Sequence, residues 1–179
     1  MITQETKIPA RSLLKREEES FDYIDSFQDL FSEKGQATSL TKVLQLFVSG
    51  GPKWADSLLN LRNKIVKPFG LKTSDSITDE QSDSINYEIG NRVGIFLLLD
   101  KTENEVILGD DDKHLNFKVS LLLAPIVNKI DKKKLSLTTV VKFHNLFGRL
   151  YFLAIMPFHK LIVRSSLKSI IKQLESEKE

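Results

Sequence analysis

The sequence predicts an α+β fold: a curved antiparallel β-sheet wrapped around a long C-terminal α-helix, with two short helices between the first and second strands. Three observations carry this expectation. Over residues 145–174 apolar side chains recur at helical spacing. Over residues 85–144 they alternate with period two between short polar turns, the mark of an antiparallel meander. Between these regions and a first aromatic strand lie two shorter helical patterns. An antiparallel sheet with one apolar face must cover that face, and the terminal helix is the only late element apolar enough to do so.

At 179 residues the chain is one domain by prior and long enough to bury roughly 70% of its unfolded surface without staples. It has no cysteine, which excludes disulfides, thiolate metal sites and a cysteine nucleophile. A net charge of +2 from 26 basic and 24 acidic residues, spread along the chain, leaves no nucleic-acid footprint. The first twenty residues hold no apolar core before a small-residue cleavage site, so no secretory signal is expected. The apolar run over residues 146–158 is interrupted by Gly148 and Arg149 and is too short to span a bilayer. The chain therefore reads as cytoplasmic, with no membrane insertion.

Taken in order, residues 1–18 are polar and read as an N-terminal arm over the surface, followed by a single domain over residues 19–175 and a frayed tail over residues 176–179. Phe21, Tyr23, Asp25 and Phe27 suggest a short strand, with Asp25 the exception in its apolar row. Ser39 opens a helix whose face is Leu40, Val43, Leu44 and Phe47, closed by Gly50 and Gly51. Pro52 starts the next, with Trp54, Leu58, Leu61 and Ile65 in register. Residues 72–84 are nearly free of large apolar groups and read as a mobile polar connection. The sheet follows: Ile85, Tyr87 and Ile89 alternate; residues 95–99 form a buried run; residues 101–104 turn it back into Val106, Ile107 and Leu108. Leu115, Phe117, Val119, Leu121 and Leu123 make the clearest strand, one face core and the other water. Residues 131–134, Asp-Lys-Lys-Lys, read as a basic turn into Leu135, Leu137, Thr139, Val141 and Phe143.

The terminal helix has two apolar stripes: Phe147, Tyr151, Ala154, Phe158 and Ile162, then Val163, Leu167, Ile170, Ile171 and Leu174. Asn145 is placed to cap it, and Pro157 to kink or break it. The first half, apolar nearly all round, is expected to be buried. A straight helix of this length would run about 43 Å, against a radius of gyration of roughly 16 Å for a compact chain of this size, so other elements must wrap it.

This order resembles the START-like helix-grip superfamily of lipid-transfer and polyketide-cyclase-like domains. Three stretches, WADSLLNLRNKIVKPFGLK (54–72), GDDDKHLNFKVSL (109–121) and FHNLFGRLYFLAIMPFHKLIVRS (143–165), resemble more closely an uncharacterised bacterial domain family of that kind. The resemblance implies a hydrophobic cavity between sheet and helix, and it transfers no catalytic residue. Some relatives follow an NAD(P)-binding domain, but the chain contains no G-x-G-x-x-G, so no cofactor is expected.

Four features bear on chemistry. Asp110, Asp111, Asp112 and His114 could hold a divalent cation, but their spacing matches no known loop and a solvated turn is the plainer reading. His114, His144 and His159 could each serve as a base, though nothing in the sequence sets a nucleophile or carboxylate beside them. Arg149, inside the apolar part of the helix, needs a carboxylate if buried, from Asp25, from the 110–112 cluster or from an acidic ligand, unless it snorkels to the surface; a structural pair or the surface is the plainer reading. Lys160, Arg164, Lys168 and Lys172 form a basic ridge that reads as a solvated face, because the apolar stripe beside it is needed for the sheet. The leading expectation is binding of a lipid-like or aromatic small molecule, lined by Trp54, Phe96, Phe117, Phe143, Tyr151 and Phe158 with His114 and Arg149 as polar anchors. The alternatives are an enzyme of cyclase or hydrolase type using His114 with an aspartate, and a regulatory interaction module with a filled core.

Overall fold

In a computed structural model, which describes residues 2–33, 37–49, 87–127 and 129–176, a seven-stranded antiparallel sheet curves around a long terminal helix. The strands are β1 (Thr3–Glu5), β2 (Tyr23–Ser32), β3 (Arg92–Val93), β4 (Phe96–Lys101), β5 (Glu105–Asp111), β6 (Leu115–Ile126) and β7 (Lys129–Phe143), in the spatial order β1-β2-β7-β6-β5-β4-β3. Strands β3 to β7 form the expected meander, and the early strand β2 closes onto the last, Tyr23 opposite Val141 through Ser32 opposite Lys132. The helices are α1 (Leu40–Ser49) and α2 (Leu146–Ser176). The expected helix over residues 52–70 and the polar connection over residues 72–84 lie outside the described residues.

Period-two patterning explains the inner face. Val106 and Leu108, Val119, Leu121 and Leu123, and Leu135 and Leu137 form one core with Phe27 and Phe31 of β2. From above, α2 lays Val163, Leu167, Ile170, Ile171 and Leu174 onto that core, and α1 adds Leu40, Val43 and Leu44. The second stripe of the terminal helix is therefore buried as expected. Ser39 opens α1 by accepting the Lys42 amide at 3.2 Å, and α2 continues as a helix on both sides of Pro157, so no break falls there.

Several expectations are corrected. The back of the sheet does not face water: Ser120, Leu122, Ser136, Thr138 and Val140 are all buried. The polar arm is the reason. It begins with β1, paired to β2, then lays Ile8 and Leu14 against Ile107 and Val140, and a 3-10 turn at Leu13–Ser20 follows. Its anchor is Glu105, 2% exposed, whose Oε1 accepts from Ser12 Oγ and Ser120 Oγ, each at 2.5 Å, and whose Oε2 accepts the Leu13 amide at 2.7 Å.

Residues 131–134 are not a turn but lie within β7, which already begins at Lys129, opposite Ile126. Lys134, Lys133 and Lys132 stand opposite Leu30, Phe31 and Ser32, and Lys133 reaches the Glu33 carboxylate at 2.9 Å, so paired charge and aliphatic stems are compatible with a strand. Burial works to raise the Glu33 pKa, but hydrogen bonds from Lys133 and the Thr38 amide outweigh it and leave the group below its ordinary range. Tyr87 and Ile89 are not in a strand; the chain turns there through Gly90, and β3 returns into β4 by a two-residue turn with Gly94 at φ +62°, a conformation that favours glycine.

The first half of α2 departs most from expectation. Only Gly148 and Phe152 are buried there, while Leu146, Leu150, Leu153 and Phe158 are exposed. A sheet covers one side of a helix, and among the described residues no second layer lies over the other.

Candidate functional site

Asn145 sets the position of α2. Its Oδ1 accepts the Gly148 amide at 3.0 Å, the N-cap expected of it, its Nδ2 donates to the Lys113 carbonyl at 3.2 Å, and its amide group lies 3.1 Å from His114 Nδ1. The cap thus ties the helix start to the β5–β6 turn. Gly148 is what allows so close an approach: a Cβ there would stand 2.1 Å from the His114 carbonyl oxygen.

Downstream of this clamp, β2 and β7 present an unusual polar group on the inner face. Tyr23 and Asp25, two residues apart on β2, point the same way, and the Tyr23 hydroxyl donates to Asp25 Oδ2 at 2.6 Å. Asp25 is 1% exposed. From α2, His159 Nε2 approaches both carboxylate oxygens, at 3.5 Å and 3.4 Å. Directly across the ladder from Asp25 lies Thr139, 3% exposed, whose hydroxyl has no hydrogen-bond partner among the described residues. Phe152 covers the group, its ring 4.7 Å from Tyr23, 6.1 Å from His159 and 5.5 Å from Phe143. Burial, then the hydrogen bond to Asp25 and the carboxylate charge, push the Tyr23 phenol well above the usual tyrosine range, so it is a donor at every physiological pH.

Such an arrangement can do two things. A carboxylate flanked by a phenol and an imidazole can hold a polar hydrogen of a bound molecule, and an imidazole oriented by a carboxylate can move a proton. Asp25 and Thr139, paired across the ladder, carry their carboxylate and hydroxyl on the same face of the sheet.

The residues expected to line a cavity divide. Phe96 and Phe117 are half-buried and adjacent, with ring centroids 6.0 Å apart, and Phe47 of α1 extends the row at 5.7 Å from Phe96. Phe143 touches Phe152 at the other end, and Tyr151 is half-buried on α2. Phe158 sits on the exposed flank of α2, away from these rings, and Trp54 lies outside the described residues. His114 lies against Phe147 with ring centroids 4.7 Å apart and tilted by 55°, and its Nδ1 faces Asn145.

Arg149 is paired within the protein. It is at the surface, 3.5 Å from Asp22 Oδ1 and 5.6 Å from the Phe143 ring, so its partner is a protein carboxylate, but not one of those expected. The acidic cluster is likewise spread among neighbours: Asp110 faces Arg92 at 3.4 Å and Asp111 faces His144 at 3.4 Å. An ion pair this exposed is weak, and Arg149→Met should lower the unfolding free energy in urea by less than about 1 kcal/mol. A loss several times larger would mean that the guanidinium is held far more tightly than its exposure indicates.

Sequence reasoning singled out His159 as a possible base and Asp25 as the exception in its strand, but did not join them. The available signal was an aspartate at an inward position of an alternating strand, which requires a buried partner. Neither curated proteins nor solved structures give a match to the chain. Residues 18–166 match the family described as protein of unknown function DUF2867, and that span, covering most of the chain, shows that the chain belongs to this family.

Proposed function

We propose that the chain binds a hydrophobic small molecule, lipid-like or aromatic, that carries a hydroxyl or amine, between the inner face of the sheet and α2. The observation that carries this reading is the buried Thr139 hydroxyl, unpartnered among the described residues, across the ladder from the Asp25 carboxylate. A buried polar atom left without a partner costs about 1–3 kcal/mol, and a ligand hydroxyl that accepts from Thr139 and donates to Asp25 would recover it. The half-buried row Phe47, Phe96 and Phe117, with Phe143, supplies apolar surface for the rest of such a molecule. The resemblance to START-like domains supports the same location.

A second reading, an enzyme of cyclase or hydrolase type on this scaffold, is favoured by one observation: Asp25 orients His159 next to the same place. It would use His159 as the base, not His114.

Thermal melting with dodecanol, octylphenol and dodecanoate tests the binding reading. The alcohol and the phenol should stabilise the protein, by about 2.7 kcal/mol at a hundredfold excess over Kd, and the acid much less. Thr139→Val, which keeps shape and strand preference, should remove that stabilisation. The reading is sunk if none of the three raises Tm, or if dodecanoate alone does so and Arg149→Met abolishes its effect.

A further inference from the structure

The outward face of α2 changes character along its length. Leu146, Leu150, Leu153, Phe158 and Leu161 are between 46% and 70% exposed, a continuous apolar surface over the first half. Steps of three and four carry the same line onward from Leu161 to Arg164, Lys168 and Lys172, all exposed. Arg149 and Lys160 flank the apolar part, and no acidic residue occurs anywhere over residues 146–174. One side of one helix is thus greasy at its start and basic towards its end, with no negative charge in between.

The opposite side of α2 is already committed. Val163, Leu167, Ile170, Ile171 and Leu174 are built into the core, and Gly148 is clamped against the β5–β6 turn. By length and composition the helix could cross a bilayer, but it could do so only by leaving the sheet. Lying flat leaves the core intact and offers the outward face alone.

We propose that this face docks on an anionic lipid surface, the apolar first half entering the boundary between headgroups and acyl chains and Arg164, Lys168 and Lys172 resting on acidic headgroups. Two features favour lipid over a protein partner. The exposed apolar residues are four leucines and one phenylalanine on a convex ridge, whereas protein hot spots favour Trp, Tyr and Arg anchored in pockets and use Leu sparingly. Charge of a single sign beside the apolar strip is what a surface of acidic headgroups attracts, at a gain that grows with each added Lys or Arg. The stripe beside the basic ridge is occupied by the sheet, but the ridge continues a second, exposed apolar strip that no other described residue covers.

Co-sedimentation of the full chain with vesicles tests this. With phosphatidylcholine vesicles containing about one-third phosphatidylserine, near physiological salt, the protein should pellet with the lipid, and with phosphatidylcholine alone it should remain in solution. Leu150→Glu with Leu161→Glu should weaken binding about tenfold or more while leaving the thermal melt unchanged, since both positions are exposed. Should that variant fold poorly, Arg164→Glu with Lys168→Glu, which touches no apolar contact, should lose the response to phosphatidylserine by a similar factor. The proposal is overturned if the wild-type chain ignores the anionic vesicles, if it binds both vesicle types equally, or if the leucine variant binds as well as the wild type. It is also overturned if the chain is a dimer that ignores vesicles and that the leucine variant dissociates, for then a second copy covers the face.

Discussion

Leu167→Ala is expected to lower the unfolding free energy by about 2–5 kcal/mol. Leu167 is 0% exposed, at the centre of the stripe that α2 presses into the concave face, among Val163, Ile170, Ile171 and Leu174. Truncation removes the transfer free energy of the lost methyl groups. It also leaves a cavity that a helix fixed at both ends closes poorly: Asn145 clamps the start, and near the other end Glu175 accepts the Ser32 amide at 3.3 Å. Equilibrium urea unfolding measures the loss. A change below roughly 0.5 kcal/mol, the range of surface substitutions, would mean that α2 does not seat on the sheet as described. Because the same seating brings His159 to Asp25, a destabilised helix should also loosen the polar group below it.

Glu105→Ala should have an effect of similar size on the other side of the sheet, about 3 kcal/mol or more, since hydrogen bonds to a charged group are worth roughly 1.5–3 kcal/mol and three donors lose their acceptor. Ser12, Ser120 and the Leu13 amide all converge on this one side chain. The consequence should be local as well as global. With the anchor gone, the amides of residues 8–14 should exchange faster than those of β6 and β7, because Ile8 and Leu14 keep only their apolar contacts with Ile107 and Val140. Hydrogen exchange resolved by segment checks this, and unchanged protection of the arm together with a loss under about 1 kcal/mol would show that the arm is held by packing alone.

Much of the architecture was legible because it rests on period. Alternation in Leu115, Phe117, Val119, Leu121 and Leu123 can be buried on one face only by a strand, and the 3.6-residue recurrence from Val163 to Leu174 only by a helix. The Asn145 cap was equally local, a side chain and an amide three residues apart. That the arm buries the back of the sheet was not legible, for the opposite reason. Its polar composition suits open solvent, but Ser12 and the Leu13 amide are satisfied by Glu105, and the sequence separation of 93 residues between Ser12 and Glu105 leaves no local trace.

The site was only half legible. Phe96, Phe117 and Phe143 stand on the inner face because alternation requires it, whereas the neighbours of Arg149 and His114, which are Asp22 and Asn145, could not be read from the residues beside them. Asp25 and His159 are 134 residues apart, and Thr139 meets Asp25 only through the register of β2 on β7.

The α+β class, the antiparallel meander, the long terminal helix and the stripe by which its second half is buried all follow from residue pattern, because each depends on the direction in which successive side chains point along one element. Packing between elements sets which flank of the first half of α2 meets the sheet, and hence that Phe152 is covered while Leu146, Leu150, Leu153 and Leu161 are exposed. The physical reason is that a helix apolar on all sides contains no preference for one of them. The choice is made by what the sheet offers, here the Tyr23 and Asp25 side chains for Phe152 and His159 to meet, and the His114 carbonyl against which only a glycine can lie.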